Sequence, residues 1–347
     1  MTANAPTAPA VVAPLFGTRF TRHMATATWH RATGWSSLSI EACTAQPMHP
    51  AAAVLHYGQS VFEGAKAFRA ASGAVHLFRA DDHAARMRRS AERMAMPEVP
   101  QDLFVEALTE LVRADAGELA DAPGAALYLR PFLIACDERL GAATPPDIFR
   151  FTVIASPTPP AELGRALRVR VCDRFVRAVA GGTGDVKTAA NYAAAMLGQA
   201  EAREHGCDQA LWLDAFGRRW VEELGAMNLF FVDGSRLITP PLGGTVLAGI
   251  TRDTVLALAA GLGLSAVVEP VDVEDLLDHC ANGQITESFA TGTASGVQRI
   301  GILVHGERTV TVGDPTDTPV TATVAAALRA AHVGDSGDAH WHGPEIK

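Results

Sequence analysis

Residues 181–214 carry the pattern that decides the fold: GGTGDVKTAANYAAAMLGQAEAREHGCDQALWLD. The glycine-rich start predicts a loop, and the alanine-rich run after it predicts a helix that Gly206 ends. The apolar residues that follow predict a strand over 209–214. Lys187, one of only three lysines in the chain, lies where the loop meets the helix. An amine among small, apolar neighbours favours the neutral form that Schiff-base chemistry requires. From this stretch alone, a surface lysine beside a loop is the simpler interpretation.

Composition narrows the class of protein. The chain has 347 residues, a formal charge of −9 and 48% hydrophobic residues. The length predicts two domains, and the acidic total argues against a nucleic-acid partner. No apolar run is long enough for a membrane span, and the start lacks the features of a signal peptide. The five scattered cysteines contain no C-x-x-C pair, so neither a metal site nor a disulfide framework is expected. We therefore expect a cytoplasmic protein.

The order of elements predicts an α+β fold in two blocks. A disordered tail at 1–13 precedes a small domain at 14–156, with a helix at 83–96 and a strand at 126–135. Pro131 in that strand indicates an edge or a bulge. Clustered prolines at 157–166 predict the interdomain linker. A larger domain at 167–335 follows, rich in hairpins and hence mostly antiparallel, and then a flexible polar tail at 336–347.

Further stretches match one known family in order. They are FGTRFTRHM (16–24), LHYGQSVFEGAKAFR (55–69), HLFRADDHAARMRRSA (76–91), YLRPFLI (128–134), VEELGAMNLFFV (221–232), LAGITRDTVL (247–256) and FATGTASG (289–296). Together with residues 181–214, they make the chain resemble the branched-chain amino acid aminotransferases, which are pyridoxal-phosphate enzymes of fold type IV. The resemblance implies a two-domain, D-amino acid aminotransferase-like fold with pyridoxal 5'-phosphate at the domain interface. It also implies a homodimer in which a loop of one subunit helps to close the pocket of the other.

The resemblance assigns the cofactor contacts. Lys187 matches the lysine that bonds to the cofactor and then moves the proton between Cα and C4′. Glu223 matches the carboxylate that pairs with the pyridine nitrogen, whereas Glu222 points to the opposite face of the strand. Tyr192 matches the residue that hydrogen-bonds the ring hydroxyl. Four residues match the phosphate site, in which a guanidinium and a helix N-terminus both suit an anion: Arg86, Ile250, Thr251 and Thr293.

The substrate residues resemble the family less closely. An aromatic wall is expected from Phe16, Tyr57, Phe62 and Tyr128, although these residues alone are equally compatible with a core. Arg130 matches the arginine that accepts the distal carboxylate of glutamate, and the amides of Thr293 and Ala294 face the substrate carboxylate. Ala226 stands where the family usually has threonine, which indicates a roomier pocket.

The implied activity is ping-pong transamination between L-glutamate or 2-oxoglutarate and a hydrophobic amino acid or 2-oxo acid, with Leu, Ile and Val as the expected amino acids. An aromatic or unusual β-branched substrate of a specialised pathway is the alternative. A fold-type-IV lyase such as aminodeoxychorismate lyase, and a D-amino-acid transaminase, are disfavoured by the full VEELGAMN and YLRP blocks. A non-catalytic binder is disfavoured because Lys187, Glu223, Tyr192 and Arg86 are all present.

Overall fold

The structure is a computed structural model that describes residues 17–141 and 144–346. Phe16 and the tail predicted at 1–13 lie outside these residues. The chain forms two mixed units, each a twisted sheet covered by helices, as predicted for an α+β protein. None of the described helices is long and apolar enough to cross a membrane.

The first unit contains eight strands among the described residues, in the order β2-β1-β8-β7-β5-β6, with β3 beside β1 and β4 beside β7. All of its strand pairs are antiparallel. The strands are β1 His23–His30, β2 Gly34–Trp35, β3 Ser39–Ala42, β4 Ser60–Phe62, β5 Ala65–Arg69, β6 Val75–Leu77, β7 Ala126–Ala135 and β8 Ile148–Thr158. The helices are α1 Ala53–Tyr57, α2 Ala80–Arg93 and α3 Gln101–Ala114. Helix α3 buries Phe104, Ala107, Leu108 and Leu111 against the sheet, which is the spacing of one helical face.

The second unit contains nine strands among the described residues, in the order β11-β10-β9-β16-β15-β12-β13-β14, with β17 beside β16. The strands are β9 Leu167–Cys172, β10 Gln209–Leu213, β11 Val221–Leu224, β12 Asn228–Asp233, β13 Arg236–Thr239, β14 Ser265–Val268, β15 Glu287–Gly292, β16 Gly296–His305 and β17 Arg308–Thr311. The helices are α4 Ala189–Glu204, α5 Ile250–Ala259, α6 Val273–Ala281 and α7 Pro319–His332. The sheet is mostly antiparallel, as predicted, although β9 runs parallel to both neighbours and β13 runs parallel to β14.

Pro131 lies in an interior strand, so the prediction of an edge or a bulge is wrong. Strand β7 has β8 on one side and β4 and β5 on the other. The pairs Phe62↔Phe132 and Ala65↔Leu129 share one register, so β4 and β5 act as one strand interrupted at 63–64. This gap lies opposite Pro131, which has no N–H to donate to it.

Two boundaries differ from the sequence prediction. Helix α2 begins at Ala80 rather than at residue 83, because Asp81 and Asp82 suit a helix first turn, where carboxylates oppose the helix dipole. Strand β8 continues through Pro157 to Thr158, two residues into the predicted linker. Beyond Ala155, whose carbonyl still accepts from the Thr21 N–H, it pairs with β7 alone, and a strand with one free side tolerates proline.

The C-terminal segment, for which we predict a flexible tail at 336–347, packs against the first sheet over its described residues. Its residues 342–346 run along β6 of the first sheet, with bridges from His342 to Phe78 and from Ile346 to Val75. The Ile346 amide donates to the Val75 carbonyl at 2.9 Å. The Trp341 ring packs edge-on against Phe78, with ring centroids 6.0 Å apart. The edge strand and these aromatic contacts hold the segment despite its polar composition.

Candidate active site

A cavity of about 720 Å³ opens between the two sheets. Strands β4 and β7 and helix α2 supply one wall, and helices α4 and α5 with the loop after β15 supply the other. It brings together most of the predicted site residues: Phe62, Arg86, Tyr128, Arg130, Lys187, Tyr192, Ala226, Ile250, Thr251, Thr293 and Ala294. A smaller recess shares Lys187, Tyr192, Ala226 and Leu247 with it and reaches Glu223.

Lys187 is fixed at its backbone and presents its amine to the cavity. Its N–H donates to Ser90 Oγ at 3.0 Å, and its carbonyl accepts from the Phe62 N–H at 3.0 Å. Both partners belong to the first unit, so the loop before α4 docks across the interface. The Lys187 Nζ lies 2.9 Å from Tyr192 Oη and 4.9 Å from the centre of the Phe62 ring.

Glu223 lies in the recess and is 3% exposed. Its Oε1 accepts from the Leu247 N–H at 2.7 Å, and Arg177 Nη2 lies 3.3 Å from Oε2. Burial raises the pKa of the Glu223 carboxyl, and the charge of Arg177 opposes that shift. Glu222 points away, as predicted, and accepts from Thr245 Oγ1 at 2.5 Å.

The N-terminus of α5 forms the opposite end of the cavity. Ile250 and Thr251 are its first residues, and a helix start leaves its first amides free for an anion. The preceding Gly249 is needed for packing, since a Cβ there would lie 1.9 Å from Asn228 Oδ1. Asn228 Nδ2 donates to the Leu247 carbonyl at 3.0 Å, which fixes the approach to the helix.

Arg86 reaches this end from α2 and is held by a buried carboxylate. Its Nε and Nη2 donate to Glu63 Oε1 and Oε2 at 2.7 and 2.8 Å, and Nη1 donates to the Ala248 carbonyl at 3.0 Å. His83 Nδ1 lies 2.7 Å from Glu63 Oε2. Burial alone would raise the pKa of the Glu63 carboxyl, but Arg86, with help from His83, lowers it below its ordinary value. The fork fixes the Arg86 guanidinium at the cavity, with its charge balanced by the ionised Glu63.

The other side of the cavity carries Arg130 and Tyr128 on alternate positions of β7. Arg130 Nη2 donates to Tyr128 Oη at 2.9 Å, and its guanidinium lies 4.9 Å from the centre of the Phe62 ring. Its Nε is buried without a hydrogen-bond partner among residues 17–141 and 144–346. A Cβ on Gly64 would lie 2.0 Å from Tyr128 Oη, so this glycine makes room for the phenol.

Lys66 lies on β5, cross-strand from Tyr128, and contacts the loop that carries Thr293 and Ala294. Its Nζ lies 3.5 Å from the Ala294 carbonyl oxygen, and it is 6% exposed. It forms no ion pair with a carboxylate in the described part of the chain. Burial lowers the pKa of the Lys66 amine to about 8.

The structure does not place Tyr57 in the cavity of its own chain. Tyr57 ends α1 and is 42% exposed. Phe16, the other remaining candidate, lies outside the described residues.

Three residues near the site were missed by sequence reasoning: Glu63, Arg177 and Asn228. Glu63 does leave a signal, since it is a lone acidic residue between the predicted pocket residue Phe62 and Gly64. Arg177 and Asn228 act through contacts with residues distant in sequence, which no spacing reveals.

Comparison with known proteins gives the class. The family model described as amino-transferase class IV matches residues 60–302, and the chain belongs to that family. This confirms the predicted family and fold type.

Within that class, the chain is similar to branched-chain amino acid aminotransferases. It is 42% identical over 334 residues to the enzyme of Mycobacterium tuberculosis, covering 94% of this chain and 90% of that one. The structure of the Thermobaculum terrenum enzyme in its PLP-form has a TM-score of 0.75 at 25% identity, covering 94% and 99% of the two chains. That of the Escherichia coli enzyme has a TM-score of 0.73 at 26% identity, covering 92% and 98%.

Proposed function

We propose that this protein is a pyridoxal-phosphate-dependent aminotransferase that exchanges an amino group between glutamate and branched-chain amino acids. The observation that carries the proposal is a cavity with a lysine amine and an anion site at a helix N-terminus, joined to a recess that holds a buried carboxylate. The family and the similar proteins support the same interpretation, since their names state this activity.

The residues present fit pyridoxal phosphate. The α5 N-terminus with Arg86 and Thr251 suits a phosphate, and the recess with Glu223 suits a protonated ring nitrogen. Lys187 Nζ and Tyr192 Oη lie between these two ends, where an aldehyde and a ring hydroxyl need partners. When bound, the cofactor supplies an aldehyde for the amino group and a ring that accepts electrons.

Each side chain then has a distinct task. Lys187 would supply the amine that holds the cofactor aldehyde, and the same amine would serve as the base that moves a proton from the substrate Cα. Tyr192 Oη hydrogen-bonds the lysine amine and orients it. Glu223 keeps the proton on the ring nitrogen, and Arg86 with the α5 amides holds the phosphate.

Substrate recognition needs one pocket for two kinds of side chain. Phe62 and Tyr128 offer an apolar wall. The Arg130 Nε, which has no partner within the described residues, and the Tyr128 hydroxyl suit the distal carboxylate of glutamate. The amides of Thr293 and Ala294 face the carboxylate that both substrates share. This arrangement supports ping-pong exchange at a single site.

A panel of amino donors and 2-oxo acid acceptors tests this function. The purified protein should carry a visible absorption band that amino donors bleach and 2-oxo acids restore. We expect leucine, isoleucine and valine to give the highest kcat/KM with 2-oxoglutarate. Either the absence of the band, or release of a lyase product from aminodeoxychorismate without amino-group transfer, would contradict the proposal.

The small residues on the substrate side support a second hypothesis about which amino acids the pocket accepts. Ala226 and Ala294 contribute little volume to the cavity, so aromatic or unusual β-branched amino acids are the alternative substrates. Phenylalanine and leucine in the same panel separate the two hypotheses, because a preference for leucine rejects the alternative.

We also propose that the protein works as a homodimer. Helix α4 exposes Met196 and Leu197 at 69% and 61%, and α1 exposes Leu55 and Tyr57 at 58% and 42%. Exposed apolar clusters of this kind are typical of an interface, and a partner would cover them. Such a dimer supplies Tyr57 to the neighbouring pocket. Light scattering tests the state, and Leu197→Glu should shift it toward monomer.

We further propose that the protein is located in the cytoplasm. All five cysteines are free thiols, which is the state that a reducing compartment maintains.

A further inference from the structure

Arg177 is a buried charged residue that the resemblance leaves without a role. It lies between β9 and α4, is 8% exposed, and lines the recess with Glu223. Its Nη2 is 3.3 Å from Glu223 Oε2. A buried guanidinium is costly unless it is paired, so its place beside this carboxylate requires an explanation.

The surroundings of Arg177 fix the guanidinium toward Glu223. Its Nη1 donates to the Gly184 carbonyl at 3.4 Å, and its Nη2 also donates to the Thr245 carbonyl. Gly184 packs so closely that a Cβ there would lie 2.4 Å from Ala178 Cβ and 2.8 Å from the Thr245 oxygen. The guanidinium therefore sits in a tight frame of backbone and has little freedom to turn away.

The electrostatic consequence concerns the charge of Glu223. A carboxyl group with 3% exposure favours its neutral form, because burial removes the water that stabilises the anion. A neutral acid would not hold a proton on a ring nitrogen. Arg177 is the cation that pairs with Glu223, whereas Glu222 is turned away and engaged by Thr245.

We propose that Arg177 is a positioning residue that keeps Glu223 charged and correctly oriented for the ring nitrogen of the cofactor. The Leu247 amide fixes Oε1 and the guanidinium fixes Oε2, so the carboxylate plane is set before the cofactor binds. This inference rests on the proposed role of Glu223. It adds that the strength of that contact is set by a second residue, which never touches the cofactor.

The test compares two ligands that differ only at the ring nitrogen. Full-length protein is freed of cofactor and titrated with pyridoxal phosphate and with its 1-deaza analogue, in which carbon replaces that nitrogen. The readout is the dissociation constant of each ligand, so no activity is required. The variants are Arg177→Gln, Arg177→Lys and Glu223→Gln.

We expect Arg177→Gln to weaken binding of pyridoxal phosphate by about tenfold, as befits a lost hydrogen bond to a charged group. Binding of the 1-deaza analogue should change by less than about twofold, because that ligand makes no contact with Glu223 at this position. Arg177→Lys keeps the charge and should restore most of the selectivity for the nitrogen-containing ligand. It also provides the measurement if the glutamine variant fails to fold.

The outcomes separate the two proposals. In one outcome, the Arg177 variants lose affinity equally for both ligands while Glu223→Gln loses affinity only for pyridoxal phosphate. That result would mean that Arg177 has only a structural role, and it would overturn this inference without affecting the role of Glu223. If Glu223→Gln also fails to distinguish the ligands, the proposed role of Glu223 is wrong. A loss of affinity for pyridoxal phosphate but not for the 1-deaza analogue, in variants of both Arg177 and Glu223, supports the inference.

Discussion

One buried cation, Arg86, lines the cavity, and a second, Lys66, lies behind the loop at its substrate end; their surroundings differ. Arg86, at the end formed by α5, is forked by Glu63 through two hydrogen bonds of 2.7 and 2.8 Å. Lys66, at the substrate loop, has a 3.5 Å contact to a carbonyl and a ring 5.8 Å away. The first charge is permanent, whereas the pKa of the second is lowered by burial to about 8.

This difference indicates a division of labour. Groups assigned to the cofactor are fixed by buried partners: Lys187 by Ser90 and Phe62, Glu223 by Arg177 and Leu247. Within the described residues, the substrate end has an Arg130 Nε without a partner and small side chains, and Lys66 behind its loop has no ion pair. A fixed cofactor end with an adaptable substrate end suits a single site that accepts both glutamate and apolar amino acids.

Removing the amine of Lys187 should give the largest effect. Lys187→Ala is expected to lower the transamination rate by at least about ten-thousand-fold, because both covalent bonding and proton transfer are lost. The backbone contacts to Ser90 and Phe62 remain, so circular dichroism and the melting temperature should stay near those of the parent. Parental rates in this variant would refute the assignment.

The second-largest effect is expected from breaking the pair of hydrogen bonds between Arg86 and Glu63. Glu63→Gln leaves a buried guanidinium unpaired and is expected to lower the free energy of unfolding by about 3–5 kcal/mol. Urea unfolding measures the loss. The control is Glu110→Gln, which loosens an exposed pair with Arg113 and should cost less than about 0.5 kcal/mol. A similar decrease in the free energy of unfolding in both variants would show that the buried pair stabilises the fold no more than the exposed one.

The charge on Lys66 should produce a pH dependence in the alkaline range. Its pKa is about 8 in the folded state, against an ordinary value of 10.5, so the unfolded chain binds the proton more tightly. Lys66→Met should therefore be more stable than the parent at pH 7, and the gap should close by about 3 kcal/mol as the pH rises from 8 toward 10.5. A pH-independent gap in urea unfolding would contradict a titrating lysine.

Narrowing the substrate end should have the smallest effect. Ala226→Thr adds volume to the cavity and is expected to lower kcat/KM for phenylalanine relative to leucine by about tenfold. Binding of pyridoxal phosphate should stay the same, since Ala226 offers only a methyl group. If the ratio of kcat/KM for phenylalanine and leucine does not change, other residues of the pocket determine the substrate preference.

Local patterns predicted much of the fold, whereas the residues of the candidate site were assigned by the family resemblance. Strand β7 has the bounds predicted for it, 126–135, and the positions of Lys187 and Thr251 near helix starts follow from the loop residues before them. What could not be predicted depends on distant contacts. Arg177 faces Glu223 of β11 because the loop after β9, which carries Arg177, meets the loop that carries Thr245. Tyr57 lies outside its own cavity because α1 is at the surface. The C-terminal segment is ordered by an edge strand that composition does not reveal.

That C-terminal segment makes the chain cross between the two sheets a second time. It runs from α7 to β6, and Arg79 at the start of α2 joins it, contacting both the Trp341 ring at 5.6 Å and Asp253 of α5 at 2.7 Å. The loop at 159–166 is therefore not the sole link between the two halves within the described residues. A cut in this loop would leave the contacts of Arg79 and of the C-terminal segment as a second connection between the two fragments.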